Sequence, residues 1–241
     1  MEPASKVDQT VARTFRAIVQ YDGTAYNGFQ RQRHGVTSIQ AELEDALARL
    51  ADRPIRVLGA GRTDTGVHAL GQVISFTIEW PGKHGPGALQ RALNANLPPD
   101  IAVVELVEAE PGFHPRFDAR RRCYEYYILN VPVRRPLLRW RAWHVARTLD
   151  VDRMNEAAKL LIGVHDFATF GRAPVGDNTV REVHSAIWRR EDEMVIFRIC
   201  ANAFLQRMVR SVVGSLKMVG TGGWSKDDFA DAIVSCERKR S

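Results

Sequence analysis

The sequence predicts an α+β protein built as two similar halves that share one extended, mostly antiparallel sheet. Three observations lead there. Strand-like runs separated by single helical runs occur in two successive rounds. The helical runs carry one apolar stripe each, as expected of helices that lie on a sheet. The 241 residues, 45% apolar and 26% charged, have an ordinary globular balance. Residues 1–12 read as a loose N-terminal tail, 13–110 as the first half and 111–241 as the second.

Arg13 to Tyr21 alternates well enough for a strand, and Tyr21-Asp22-Gly23 marks the turn after it. Thr37 with Gln40 resembles a capping box. Ile39, Leu43, Leu47 and Leu50 then recur at helical spacing. Gly71 to Glu79 reads as a strand, and Ala88 to Leu97 as a helix stopped by Pro98-Pro99. Ile101 to Glu108 returns as a strand. The second round has strand Cys123 to Leu129, a helix from about Asp152 to Ile162, and strands Thr179 to Arg189 and Met194 to Ala201. Its last long helix spans about Leu205 to Val219, with Leu205, Met208, Val209, Val212 and Leu216 on one face and Arg207, Arg210, Gly214 and Lys217 on another. That basic ridge has two readings, an ordinary solvated face or a partner for a carboxylate elsewhere.

Several function classes are excluded by composition. No apolar stretch approaches a membrane span, and the N-terminus lacks the apolar core of a secretion signal, so a cytoplasmic protein without membrane contact is expected. Cys123, Cys200 and Cys236 are odd in number, far apart and outside any Cys-x-x-Cys pattern, which predicts reduced thiols and no structural zinc. The seven histidines show no metal-ligand spacing, and no metal is expected.

Charge is concentrated. Between Phe113 and Arg147 there are nine arginines (116, 120, 121, 122, 134, 135, 139, 141, 147) against Asp118 and Glu125, a local net of +7 in a chain of net +6. Phe113, Phe117, Tyr124, Tyr126 and Trp140 are interleaved with them. Guanidinium forks match phosphate and aromatic rings stack on bases, so the segment reads as a nucleic-acid surface; a solvated basic face is the plainer alternative.

The most informative segment is Gly59 to Ala69, with Gly61-Arg62-Thr63-Asp64 at its centre, following the strand-like run Ile55 to Leu58. Such a loop can be a simple turn in which the aspartate bonds local amides. A dinucleotide fingerprint does not fit, because Asp64 stands where its glycine would meet the pyrophosphate, and no Gly-Lys-Ser/Thr follows to make a Walker loop. The loop is built to present a carboxylate.

Several blocks, in order, make the chain resemble the tRNA pseudouridine synthase A family. They are Tyr21-Asp22-Gly23, Gly28-Phe29-Gln30-Arg31-Gln32, Gly61-Arg62-Thr63-Asp64 with Gly66-Val67-His68-Ala69, Phe113-His114-Pro115-Arg116-Phe117, Tyr124 with Tyr126, and Asn202-Ala203-Phe204-Leu205 with Met208-Val209-Arg210. The resemblance runs from about Phe15 to Gly220. It implies ferredoxin- or RRM-like halves with helices on one face of the sheet and a basic cleft on the other. It also implies a cofactor-free, homodimeric isomerase that converts uridine to pseudouridine at positions 38, 39 and 40 of the tRNA anticodon stem-loop.

By the same resemblance Asp64 is the essential carboxylate, whether it attacks ribose or base or takes a ribose proton. Tyr124 stacks on the target base, Arg210 pairs with the aspartate and Arg62 holds the flipped nucleotide. Extruding that base costs about a few kcal/mol, which stacking and polar contacts offset. Arg31, Phe113, His114, Arg116, Arg120, Arg121, Arg122 and Arg207 are the expected RNA contacts. Family chains usually continue past the helix near 227–234 into a further strand, so this chain, ending at Ser241, is expected to lack that segment. A non-catalytic RNA-binding module is the alternative function that this leaves.

Overall fold

The computed structural model describes residues 10–32, 35–81 and 84–237. The chain divides into two compact units, Met1–Ala119 and Arg120–Ser241. In the first, β1 (Thr10–Tyr21), β2 (Leu58–Gly59), β3 (Ala69–Pro81) and β4 (Ile101–Glu108) form an antiparallel sheet of order β2-β3-β1-β4. Helices α1 (Ile39–Ala51) and α2 (Pro86–Asn96) complete it. In the second, β5 (Arg122–Leu129), β6 (Trp143–His144), β7 (Gly163–Asp166), β8 (Val180–Glu191) and β9 (Met194–Ala201) are ordered β6-β5-β9-β8-β7. Its helices are α3 (Val151–Ala158), α4 (Met208–Gly220) and α5 (Lys226–Ser235).

The α+β class is borne out, but hydrogen bonding groups the strands into two sheets, one per unit, where the sequence reading joined them in one. Each sheet has its own core. Phe15, Ala17, Val19 and Tyr21 alternate along β1 and pack with Ile74, Phe76 and Ile78 of β3, Ile39, Leu43 and Leu47 of α1, and Leu89 and Leu93 of α2. The period of two in the strand and of three to four in the helices turns all of these side chains into one interior. In the second unit Phe167, Phe170, Trp188, Phe197, Met208, Val212, Leu216 and Phe229 do the same.

Local expectations need four corrections. Strand β1 begins at Thr10, inside the segment read as tail; the rest of that segment, 1–9, lies outside the described residues. Helix α1 is capped by Ser38, whose side chain accepts from Ala41 N–H at 3.4 Å, and not by a Thr37–Gln40 box. Gln40 is otherwise engaged, donating to the Val57 carbonyl and accepting from the Arg31 N–H, both at 2.9 Å. The last long helix starts at Met208, because Arg207 has left-handed backbone (φ 64°) and ends the preceding turn. Finally, Cys123 and Cys200 are disulfide-bonded, which overturns the expectation of reduced thiols; only Cys236 is free. Their sequence separation of 77 hides the fact that β5 and β9 set them directly opposite, with Cα atoms 4.1 Å apart.

No helix among the described residues is long and apolar enough to cross a membrane. Nor do those residues include a cluster of three or more metal-ligating side chains.

Candidate active site

In the first unit Asp64 stands exposed at the tip of the loop between β2 and β3, with Arg62 exposed two residues before it. The loop is pinned along its length by the segment that follows β1. Upstream of Asp64, the Thr63 carbonyl accepts the Phe29 N–H at 3.0 Å, while its hydroxyl lies 2.8 Å from the Tyr21 hydroxyl. Downstream, Val67 N–H closes a turn on the Asp64 carbonyl at 3.1 Å, and Gly66 N–H reaches the Tyr26 carbonyl at 3.3 Å. Gln72 ties the loop's start by donating to the Gly61 carbonyl at 2.8 Å.

Two glycines permit this closeness. A Cβ on Gly23 would lie 2.1 Å from the Val67 carbonyl oxygen, and one on Gly28 would lie 2.6 Å from that of Thr63. Gly28 also has φ +87°, a conformation side chains disfavour. Tyr21-Asp22-Gly23 and Gly28-Phe29 thus form the socket of the aspartate loop, although they lie some forty residues away in sequence.

Tyr26 anchors this socket from behind. Its hydroxyl donates to Asp100 Oδ1 at 2.6 Å. Burial, and then the Asp100 carboxylate, push that hydroxyl far above the usual tyrosine range, so it remains a protonated donor at neutral pH. His68 closes the other side, with Nδ1 at 2.8 Å from Asp22 Oδ1 and 3.2 Å from the Gly23 nitrogen.

The second unit gathers aromatic and basic groups where β5 meets the start of α4. The Tyr124 ring meets Phe204 edge-on with centroids 4.9 Å apart. Tyr126 stands edge-on to Trp143 at 6.5 Å. Burial raises the Tyr126 hydroxyl above its ordinary range, and the nearby positive charge of Arg210 opposes the shift. Arg210 belongs to the first turn of α4 and Arg207 precedes the helix as its cap residue, both exposed. The strand-like bridge between Arg172 and Gln206 holds this entry segment, and Gly171 leaves no room for a side chain beside Leu205.

Apart from Arg207 at the head of α4, the expected RNA contacts divide into three groups. Phe113, His114 and Arg116 form a tight turn in the first unit: the Asp118 carboxylate accepts His114 N–H at 2.8 Å, and His114 Nδ1 accepts Arg116 N–H at 3.2 Å. Phe117, beside the His114 ring, is 77% exposed, a large apolar face open to a partner. Arg120 and Arg121 are exposed at the entry to β5, whereas Arg122 donates to the Asn202 carbonyl at 2.8 Å. Arg31 is taken up by Glu44 and Asp45, each at 3.0 Å, which also raises its pKa and removes much of its charge from the surface field. Sequence reasoning gave no role to Phe204, His68 or Asp22. All three stand in the quoted blocks, but their partners are not revealed by spacing.

A family model described as tRNA pseudouridine synthase matches residues 17–118 and 157–241. The tRNA pseudouridine synthase A of Aeromonas hydrophila is 42% identical over 91% of this chain and 81% of its own. The protein of that name from a Thermoanaerobacter species is 38% identical over 95% and 93%, and that from Methylacidiphilum infernorum 42% identical over 93% and 88%.

Proposed function

Because the chain belongs to the tRNA pseudouridine synthase family, an isomerase family, we propose that it converts uridine to pseudouridine at positions 38, 39 and 40 of the tRNA anticodon stem-loop, with Asp64 as the required carboxylate. The observation that supports Asp64 most directly is its presentation: an exposed carboxylate on a loop whose backbone is tied on both sides to a buried scaffold. Such preorganisation suits a group that must meet one atom of a flipped nucleotide.

In the reaction the N1–C1′ bond breaks, the uracil turns, and C5 bonds to C1′ while the C5 proton is released and N1 takes one up. No atom is gained or lost, so no cofactor is called for. Tyr124, supported edge-on by Phe204, offers a face for the base. Arg62, and Arg210 on the second unit, supply positive charge for the nucleotide, and Phe113, His114, Arg116, Arg120, Arg121, Arg122 and Arg207 hold the RNA backbone. The same reading extends to a homodimer acting in the cytoplasm, its dimeric state open to mass measurement in solution. Tritium release from tRNA labelled at uridine C5 tests the whole reading. Asp64→Asn is expected to lower release at least about a hundredfold while tRNA still binds. Undiminished release from that variant would remove Asp64 from the chemistry.

A further inference from the structure

We propose that His68 and Asp22 form a clamp that sets the position of Asp64, making them positioning residues for the isomerisation. This rests on Asp64 being the carboxylate the reaction uses.

The upstream side of the Asp64 loop is held by Thr63, through both its carbonyl and its hydroxyl. Downstream, Val67 N–H returns to the Asp64 carbonyl, and the His68 ring adds a tie just before the ladder resumes at Ala69. Asp22 is a firm anchor for it. Its N–H donates to the Asp100 carbonyl at 2.9 Å, and its Oδ1 accepts from Thr24 N–H at 3.0 Å and Thr24 Oγ1 at 2.6 Å, an Asx turn.

His68 Nδ1 lies 2.8 Å from that oxygen and 3.2 Å from the Gly23 N–H, which is aimed at it. It serves one of them at a time, accepting from Gly23 when bare or donating to Asp22 when protonated, and the charge-assisted bond to the carboxylate is the stronger. The carboxylate therefore selects the Nδ1–H form and aims the ring.

The ladder explains why this clamp acts on position more than on folding. Pairing of β1 with β3 slips between Val19 and Tyr21 and ends at Tyr21 opposite Ala69. Asp22 and His68 lie one step beyond that last pair. Removing their contact leaves every ladder bond and the buried core in place, and frees only the descending limb of the Asp64 loop.

The test uses the full chain and C5-tritiated tRNA, comparing kcat, KM, tRNA affinity and thermal midpoint. His68→Ala is expected to lower kcat about 10- to 100-fold, the scale of a roughly 1 Å misplacement, with tRNA affinity and midpoint nearly unchanged. His68→Asn, whose amide nitrogen falls where Nδ1 stood, should recover most of the loss; His68→Gln, which places it nearer Nε2, should not. Asp22→Ala should match His68→Ala, and the double variant should be no worse than either. Full kcat in His68→Ala overturns the clamp, as does failure of Asn to outperform Gln. Parallel losses of midpoint and affinity that Asn does not repair would make the pair merely structural, and the proposal would fall. Asp64→Asn in the same series separates the two readings: if it is active the assignment of Asp64 fails, whereas an inactive Asp64→Asn beside a fully active His68→Ala sinks the clamp alone.

Discussion

Gly23 and Gly28 show how much of a candidate active site can rest on the absence of a side chain. Each stands where the backbone of the aspartate loop passes too close for a methyl group, at 2.1 Å and 2.6 Å from carbonyl oxygens. Backbone cannot yield as a flexible side chain does. Gly23→Ala is therefore expected to push Val67 outward, costing about 1–3 kcal/mol of stability and lowering kcat for tritium release more than it weakens tRNA binding. Chemical denaturation and steady-state kinetics on the same preparation check both parts; a variant as stable and active as the parent would show that the loop is not seated as described. Arg207 is the opposite case. A non-glycine residue at φ 64° stores strain of order 1 kcal/mol, and it does so at the entry to the helix that carries Arg210.

The strands β5, β8 and β9 work as a support whose outer face has its own electrostatics. Glu125 on β5 accepts from the Tyr127 hydroxyl at 2.6 Å and from Arg189 of β8 at 3.2 Å, with Arg198 of β9 at 3.8 Å. The Tyr127 hydrogen bond first, and Arg189 after it, hold the Glu125 carboxyl below the usual carboxylate range, against the opposing effect of burial. A carboxyl with a depressed folded pKa contributes stability above its unfolded pKa and loses that contribution as pH falls through the folded value. Glu125→Gln is accordingly expected to destabilise the protein by about 1 kcal/mol at pH 7 and by progressively less below about pH 4. Thermal midpoints of both proteins across that range check the sign; a gap that widens on acidification would contradict it. The Cys123–Cys200 bond joins β5 to β9 on this same face, next to the strand position that carries Tyr124.

At the scale of the whole chain, the net charge of +6 understates how uneven its charge is. Arginines taken up by carboxylates, such as Arg31 and Arg135, add little to an RNA-attracting field. Arg120 and Arg121 are exposed and lead into the strand of Tyr124. Replacing both with glutamine is expected to reduce the slope of log affinity for tRNA against log salt by about one to two, leaving the choice of uridine unchanged. An unaltered slope would assign these residues to solvent. The matching change for Arg31 is expected to leave the slope nearly intact.

The sequence by itself determined the α+β class, most element centres, the carboxylate loop and the family, because all of these reside in local periodicity, turn chemistry or contiguous motifs. Residues 101–108 and 194–201 were legible as strands to the residue, since alternation and flanking turns are local signals. Tertiary structure alone decided that Cys123 faces Cys200, that Ser38 and not Thr37 caps its helix, that Arg31 is taken up by Glu44 and Asp45, and that Tyr21, Gly23 and Gly28 lie against the backbone of the Asp64 loop. The helix cap and the Arg31 pairs turn on backbone geometry between residues three to fourteen apart; the disulfide and the seat of the loop depend on which strand lies beside which and in what register. Pairing of that kind is set by packing between segments forty to eighty residues apart, and no single stretch of the chain contains it.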